Sequence, residues 1–422
     1  MKQIRDYSGK GIVLFLSFYF LLYIFPFPFD SLPFQIGKSF SSLINVFWQR
    51  LVLFFAKDLL EFSGKITPNI NGSGDSIYYY FKLILQVIIA LVISIIWLTV
   101  NGKCLFYNRI KPFLLIYFRY FLAFTLLSYG LAKVFPNQFW EPGLTDLLKP
   151  FGDISPMGLL WKFMGYSVWY IVFTGILEVL ACILLLFRNT LKLGGILSFG
   201  ILLNIFALNM SYDVPVKLFS LHLLILSIIV LAPYFRDIVN FFVFNKTTKT
   251  HKIYPYFKTK KYRRIGYFFK SLIIIFLFST IIVSNYTNQF EYGRKSQLPP
   301  LYGIYEVENF IINNDTLAPL LTDKTRWRRL TVDKFNVNVT KMNGDILYTA
   351  NEIDTQNQSI KLKPFKEDSS YQFNYILKDS SLILVGTRDR DSLKIDFKVK
   401  DHNDFYLMKR GFYWINEYPD NR

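Results

Sequence analysis

Across 422 residues the chain is 52% hydrophobic and 19% aromatic, with 48 Lys and Arg against 30 Asp and Glu. Several apolar runs reach about 20 residues, enough to cross a bilayer core of about 30 Å, which excludes an ordinary soluble globule, whose runs are broken sooner by polar positions. The net charge of +18 does not make a nucleic-acid binder: from Asn285 onward there are 20 basic and 19 acidic residues, so the excess lies among the apolar segments, mostly in short loops, as the positive-inside rule distributes it.

Residues 1–10 carry Lys2, Arg5 and Lys10 ahead of an apolar run at 11–29 ending in PFPF. A cleaved leader would be followed by small residues at the cut. None follows, so the run reads as a retained first span with a cytoplasmic N-terminus. In the long loop 30–76, Phe40, Leu43, Ile44, Phe47, Leu51, Phe54, Phe55, Leu59 and Phe62 recur at helical spacing. This predicts an amphipathic helix, either packed on the bundle or lying among outer head groups. Asn71-Gly-Ser-Gly-Asp75 reads as a flexible break. Residues 77–100 are a second span, and Lys103, Arg109 and Lys111 return it to the cytoplasmic side. The first domain is therefore 1–112.

Residues 113–242 read as four hydrophobic helices carrying polar groups. The first is FLLIYFRYFLAFTLLSYGLAKVF, with Arg119, Tyr129 and Lys133. The second is LLWKFMGYSVWYIVFTGILEVLACILLLF, with Glu178. The third is LKLGGILSFGILLNIFALNM, with Asn204 and Asn209. The fourth, VKLFSLHLLILSIIVLAPYF, is entered through Asp213 and Lys217 and carries His222. Residues 243–264 are a basic cytoplasmic loop, a topology anchor against anionic lipid, and 265–285 are a seventh span. Lys and Arg number 17 in the inside loops and 6 in the outside loops, four of the six in 30–76. The expectation is a bacterial inner-membrane protein whose C-terminal domain is periplasmic.

From 286 to 422 apolar and polar residues alternate, as in Val337/Val339, Ile360/Leu362, Tyr371/Phe373/Tyr375/Leu377 and Leu393/Ile395/Phe397/Val399. Period two indicates half-buried strands, and Asn343-Gly344 between two of them is a hairpin signal. Pro299-Pro300 marks the linker. The fold class is thus a membrane α-helical bundle of about seven spans followed by an all-β domain, a meander, sandwich or small barrel. Gly303-Ile-Tyr305 loosely resembles the opening of lipocalin-like barrels.

A charge inside a bilayer costs about 3 kcal/mol or more unless paired or facing a cavity, so the intramembrane polar groups are the candidate site. Counted from the helix ends, Arg119 and Glu178 lie at similar depth and are expected to pair, either as a structural lock or as a carboxylate that handles protons or head groups. Tyr129, Lys133, Tyr166, Asn204, Asn209, Asp213 and His222 lie toward the outer half. If the four helices form one bundle, these converge on a crevice suited to a polar head on an apolar tail, a quinone or lipid. Taken alone, His222 reads as a satisfied core histidine.

The run RYFLAFTLLSYGLAKVF, then GILEVLACILLLF, a Gly-rich third helix and DVPVKLFSLHLLILSIIVLAPY resemble the DoxX-type four-helix membrane module over about 113–242. Arg119, Gly130, Lys133 and Glu178 match that pattern in order. The extra spans and outer domain resemble larger versions found in Bacteroidetes, and the carboxylase-type HTTM module is more distantly similar. The DoxX resemblance implies association with membrane redox complexes, including a thiosulfate:quinone oxidoreductase subunit, and partnership with soluble enzymes.

Three function classes follow. The first is a module binding quinone or lipid in support of a redox or envelope process. The second is a non-catalytic subunit whose outer domain recruits a protein partner. The third is a carboxylase-like enzyme with Lys217 and His222, or Glu178, in acid–base roles. No cofactor motif is present. With three His and the unpaired Cys104 and Cys182, a protein-built metal centre is not expected. Lys324-Thr-Arg-Trp-Arg-Arg329 reads as a solvated basic face, and the aromatic C-terminal GFYWINEYPDNR as a segment that closes the β-domain or docks on the membrane domain.

Overall fold

The computed structural model describes residues 2–31, 34–68, 73–100, 110–247 and 259–421. Cys104, Lys103 and Arg109, the first part of the Asn71 break and most of the basic stretch from His251 lie outside the described residues. The chain divides into two units. One comprises Met1–Phe139 with Ser167–Gln289, the other Trp140–Tyr166 with Phe290–Arg422.

The first unit is helical. Its elements are α1 (Lys2–Ile24), α2 (Phe34–Leu53, continued by a π-turn at Phe54–Leu59), α3 (Ile77–Val100) and α4 (Lys111–Val134), then α7 (Val168–Leu186), α8 (Leu191–Ser211), α9 (Lys217–Leu231), α10 (Phe235–Phe242) and α11 (Lys260–Glu291). α4, α7, α8 and α9 pack in succession, and α4 also meets α9. Small residues bring α7, α8 and α9 close: a Cβ on Gly194 would stand 2.8 Å from the Leu184 carbonyl carbon, and one on Gly195 2.5 Å from a Leu231 methyl. Around the module, α1 packs through Phe20 on Phe118 and α3 packs on α1. α11 runs parallel to α4, with Lys270 near Tyr120 and Asn285 bonded to Asn137.

Among the described residues seven helices are long and apolar enough to cross a bilayer, among them Gly37–Leu59, while the apolar part of α1, Gly11–Ile24, is shorter. α2 packs on the turn after α1 and on the first half of α3. Phe40, near its start, packs on Phe25 and Phe29 just past the end of α1. Trp48, Val52, Phe55 and Ala56 cluster with Tyr78 and Leu85 at the start of α3. Gln86 of α3 donates to the Leu22 carbonyl of α1, so the first turns of α3 project about 10 Å beyond the end of α1 at 1.5 Å per residue. Both packing and surface exposure are realised, since Leu43, Phe47 and Phe54 on its other face are exposed.

The expected second helix of the module, from Leu159 to Phe187, is two helices. Ser167 is extended (φ −107°, ψ 102°) and its Oγ accepts from the Tyr170 N–H, so it caps α7 and stops α6 (Pro156–Tyr166). Residues 140–166, including α5 (Leu144–Leu148) and α6, therefore leave the helical unit and join the second one.

That second unit is built on β1 (Gly303–Ile312), β2 (Asp315–Thr316), β3 (Trp327–Val332), β4 (Val337–Lys341), β5 (Ile346–Asp354), β6 (Ser359–Pro364), β7 (Tyr371–Lys378), β8 (Ser381–Arg388) and β9 (Asp391–Lys400), followed by a short α12 (Tyr406–Lys409). All pairings are antiparallel. β9 closes on β1, with Tyr305 opposite Val399 and Phe310 opposite Ile395, giving an eight-stranded barrel to which β2 adds a short flap. The inward residues are those the alternation marked, including Val337, Val339, Ile360, Leu362, Tyr371, Phe373 and Phe397 around a buried Trp327. Leu377 is an exception and is exposed, at the turn end of the β7–β8 hairpin. Gly344 supplies φ +91° in the Asn343-Gly344 turn, where the Lys341 carbonyl accepts from the Gly344 N–H.

Two expectations for this unit fail. Arg326, in the supposed solvated patch, is buried beside Trp327. Its guanidinium donates to the carbonyls of Leu317 (3.0 Å), Glu308 (3.1 Å) and Trp327 (3.2 Å), so it ties loops to strands. The C-terminal aromatics do not close the barrel. Phe412, Trp414, Ile415 and Tyr418 are exposed, and the β1–β9 ladder makes the closure.

Candidate functional site

In the first unit α4 and α7 cross where two glycines face each other. A Cβ on Gly175 would lie 2.6 Å from the Gly130 carbonyl oxygen, and one on Gly130 2.9 Å from that of Gly175. This close approach lets Lys133 Nζ donate to Glu178 Oε1 at 2.6 Å, both side chains being buried. The second carboxylate oxygen, Oε2, is buried without a protein partner.

The expected Arg119–Glu178 pair is therefore not formed. Arg119 is buried over the Tyr120 ring, with its guanidinium 5.2 Å from the centroid. The depth count assumed flush helix ends. The Gly130–Gly175 contact staggers these antiparallel helices and sets Glu178 level with the outer part of α4, about 12 Å along the axis from Arg119 at 1.5 Å per residue. Lys133 reaches back to it because helical side chains lean toward the N-terminus.

His222 is also buried, but it faces α1. Its Nδ1 lies 2.5 Å from the Leu218 carbonyl and its Nε2 2.5 Å from the Tyr19 hydroxyl. A carbonyl only accepts, so Nδ1 carries the proton and Nε2 accepts from Tyr19. The Tyr23 ring stacks on the imidazole at 4.0 Å. The core reading of His222 thus describes its surroundings.

The remaining outer residues do not gather around His222. Lys217 pairs with Asp213 at 2.7 Å and lies 4.0 Å from Asp75. Asp75 caps α9, its carboxylate accepting from the Lys217 N–H (2.7 Å) and the Leu218 N–H (3.0 Å), where a carboxylate also suits the helix dipole. The end of the expected flexible break is thus ordered, and Gly74 N–H donates to the Pro215 carbonyl. Asp213 and Asn204 are exposed and Asn209 is buried. Tyr166 belongs to the other unit and donates to the Arg410 carbonyl there. Lys217 and His222 point to different neighbours and form no acid–base pair.

A groove lies on the opposite side of α4. It measures about 550 Å³ and runs between α4, α11, the turn after α1 and Phe219 of α9. Phe27, Phe121, Phe124, Leu277 and Ile281 line its apolar part, and Thr125, Ser128, Tyr129, Thr280, Ser284 and Asn285, with Asp30, its polar part. Along the parallel α4 and α11 the aromatic and aliphatic residues come first and the polar ones increase toward both C-terminal ends. Of the expected site residues only Tyr129 lines this groove. Its ring lies 5.9 Å from Lys133 Nζ and 6.2 Å from the Phe219 ring.

The polar lining was legible as a stripe: 125, 128 and 129 on one helix, and 280, 284 and 285 on the other, share a face at helical spacing. It drew no attention because hydroxyl residues in an apolar run carry no charge, and because the seventh span stands far from the module in sequence. Among the described residues no group of three or more His, Cys, Asp or Glu gathers where a metal ion could bind.

No family model matches the chain, and no solved structure matches it. It is 38% identical over 114 residues to the "Uncharacterized protein YwoB" of Bacillus subtilis (strain 168), covering 27% of this chain and 72% of that protein. The chain belongs to the YwoB family. The rest of the chain, more than two thirds of its length, lies outside the matched stretch.

Proposed function

We propose that the chain is an integral membrane protein that holds an amphiphile, a lipid or quinone, in the groove between α4 and α11 and so supports an envelope or membrane redox process. The observation that carries this reading is the sorting of the groove wall: phenyl and aliphatic groups along its length, hydroxyl and amide groups at one end. That is the complement of a molecule with an apolar tail and a polar head. Membrane residence is supported by the long apolar helices and by the outward face of α11, where Phe268, Phe269, Leu272, Ile273 and Ile275 are exposed. A patch of that size in water would drive association. In this reading the N-terminus lies in the cytoplasm and the barrel outside, which the excess of Lys and Arg in alternate loops supports.

Purification from the native membrane, followed by solvent extraction and mass spectrometry, tests the reading. A stoichiometric lipid or quinone is expected, and it should be lost in a Ser128→Trp or Thr280→Trp variant that fills the groove. Equal retention by the filled variants would overturn it.

The exposed Phe412, Trp414, Ile415 and Tyr418 favour a second reading in parallel, in which the barrel unit recruits a protein partner. Cross-linking in the native membrane with and without residues 411–422 tests it, and identical patterns would remove it.

A further inference from the structure

Arg119 takes no part in the Lys133–Glu178 pair. It is 6% exposed, and its Nε is buried with no hydrogen-bond partner. A guanidinium enclosed in this way is costly until its charge and its donors are met. Arg119 and Leu186 lie equally far, eleven residues each, from the Gly130–Gly175 contact of the antiparallel α4 and α7. Arg119 is therefore level with the last turn of α7, and not halfway along that helix.

A second cation reaches the same place from α11. Lys270 Nζ lies 5.5 Å from the centre of the Tyr120 ring, and the Arg119 guanidinium 5.2 Å from it. Lys270 also donates to the Leu186 carbonyl at 3.1 Å, which uses one of its three ammonium donors. The groups that act on the Arg119 charge are the Tyr120 and Tyr234 phenols and the Arg188 guanidinium, which has the same sign. Among the described residues neither Arg119 nor Lys270 pairs with a carboxylate. The carbonyl end of α7 supplies about half a negative charge, less than the two cations carry. Two cations with phenol hydroxyls beside them and no acid are the chemistry that recognises a phosphate. One turn beyond Lys270 on α11, Ile273 is exposed and offers an apolar wall to an acyl chain.

We propose that Arg119 and Lys270 hold the phosphate of an anionic phospholipid of the cytoplasmic leaflet, where such lipids collect against basic protein surfaces. The proposal rests on the membrane reading, but not on what fills the groove farther along α4 and α11.

The full chain in detergent is offered equal amounts of phosphatidylglycerol and phosphatidylcholine, and retained lipid is counted by native mass spectrometry. Phosphatidylglycerol should be retained about tenfold or more over phosphatidylcholine, and Arg119→Gln and Lys270→Gln should each remove most of that preference. Arg119→Lys should recover part of it. Lys270→Gln keeps a donor for the Leu186 carbonyl and carries the test where Arg119→Gln fails to fold. Equal retention of the two lipids by wild type, or an undiminished preference in Lys270→Gln, overturns the proposal. A preference kept in Lys270→Gln but lost in Ser128→Trp puts the lipid in the groove, which overturns this site and leaves the groove reading standing. In a separate arm, thermal stabilisation by inorganic phosphate that Lys270→Gln abolishes, with no preference between the lipids, assigns the site to a free anion and overturns the lipid. Recovery of the chain in the soluble fraction without detergent overturns the membrane reading together with the proposal.

Discussion

Lys133 and Glu178 meet at 2.6 Å across the one place where α4 and α7 touch backbone to backbone. Burying two charges is costly, and the pair offsets that cost only while both are present. Glu178→Leu or Lys133→Met alone leaves one uncompensated charge and should destabilise by about 3–5 kcal/mol. Lys133→Met combined with Glu178→Leu should lie close to wild type. Thermal unfolding of the four proteins in detergent gives the coupling, and strictly additive single losses would show that the pair does not act as a unit.

The glycines under that pair have no room for a methyl group. Gly175→Ala places a Cβ 2.6 Å from a carbonyl oxygen and 2.8 Å from Lys133 Cβ, an overpacking expected to cost about 1–3 kcal/mol. Gly200→Ala in α8 is the control, because its Cβ would meet nothing within 4 Å and alanine favours a helix over glycine by about 1 kcal/mol. Melting temperatures should move in opposite directions.

In the barrel, burial pushes the Tyr305 phenol up from 10.0 to about 12, and its hydroxyl donates to the Leu301 carbonyl at 2.9 Å. The folded state therefore favours the neutral phenol. The stability this contributes is complete below pH 10 and is lost as pH rises through about 12. The ultraviolet difference titration of wild type minus Tyr305→Phe should show one phenol ionising well above 10. A midpoint at the free-phenol value would show that Tyr305 is not enclosed in the barrel.

The same unit holds the inserted segment through Asp333, whose carboxylate accepts from the Thr145 N–H at 3.0 Å, while Asn338 Nδ2 donates to Thr145 Oγ1 at 3.1 Å. A hydrogen bond to a charged group contributes about 1.5–3 kcal/mol, so Asp333→Ala should loosen residues 140–166 from the barrel. Limited proteolysis is expected to cut there first and faster than in wild type. An unchanged cleavage pattern would mean that Trp140 on Phe335 and the Glu141–Arg294 ion pair suffice.

Arg326 makes a sharper case, because three carbonyls depend on it. Arg326→Met keeps bulk but orphans those acceptors, and about 3 kcal/mol should be lost. Arg328→Met, at an exposed neighbour, should change little by the same thermal assay.

Much of the architecture was readable beforehand because it follows from period and composition. Long apolar runs, the amphipathic stretch around Phe47, the inward Val337 and Val339 and the Asn343-Gly344 turn each express a local rule. Arg326 was misread because a guanidinium among basic neighbours looks solvated until loops wrap it with carbonyls. Ser167 was passed over because one polar residue in an apolar run does not announce a cap.

By itself, the sequence determined which segments are helical, which alternate as strands, and where the charge excess lies, since these depend on neighbours along the chain. Only the tertiary structure decided that Lys133 takes Glu178 from Arg119, that His222 turns to Tyr19, and that the groove lies beside α11. The stagger of two helices is set by where their small residues touch, and a shift of a few residues exchanges one charged partner for another.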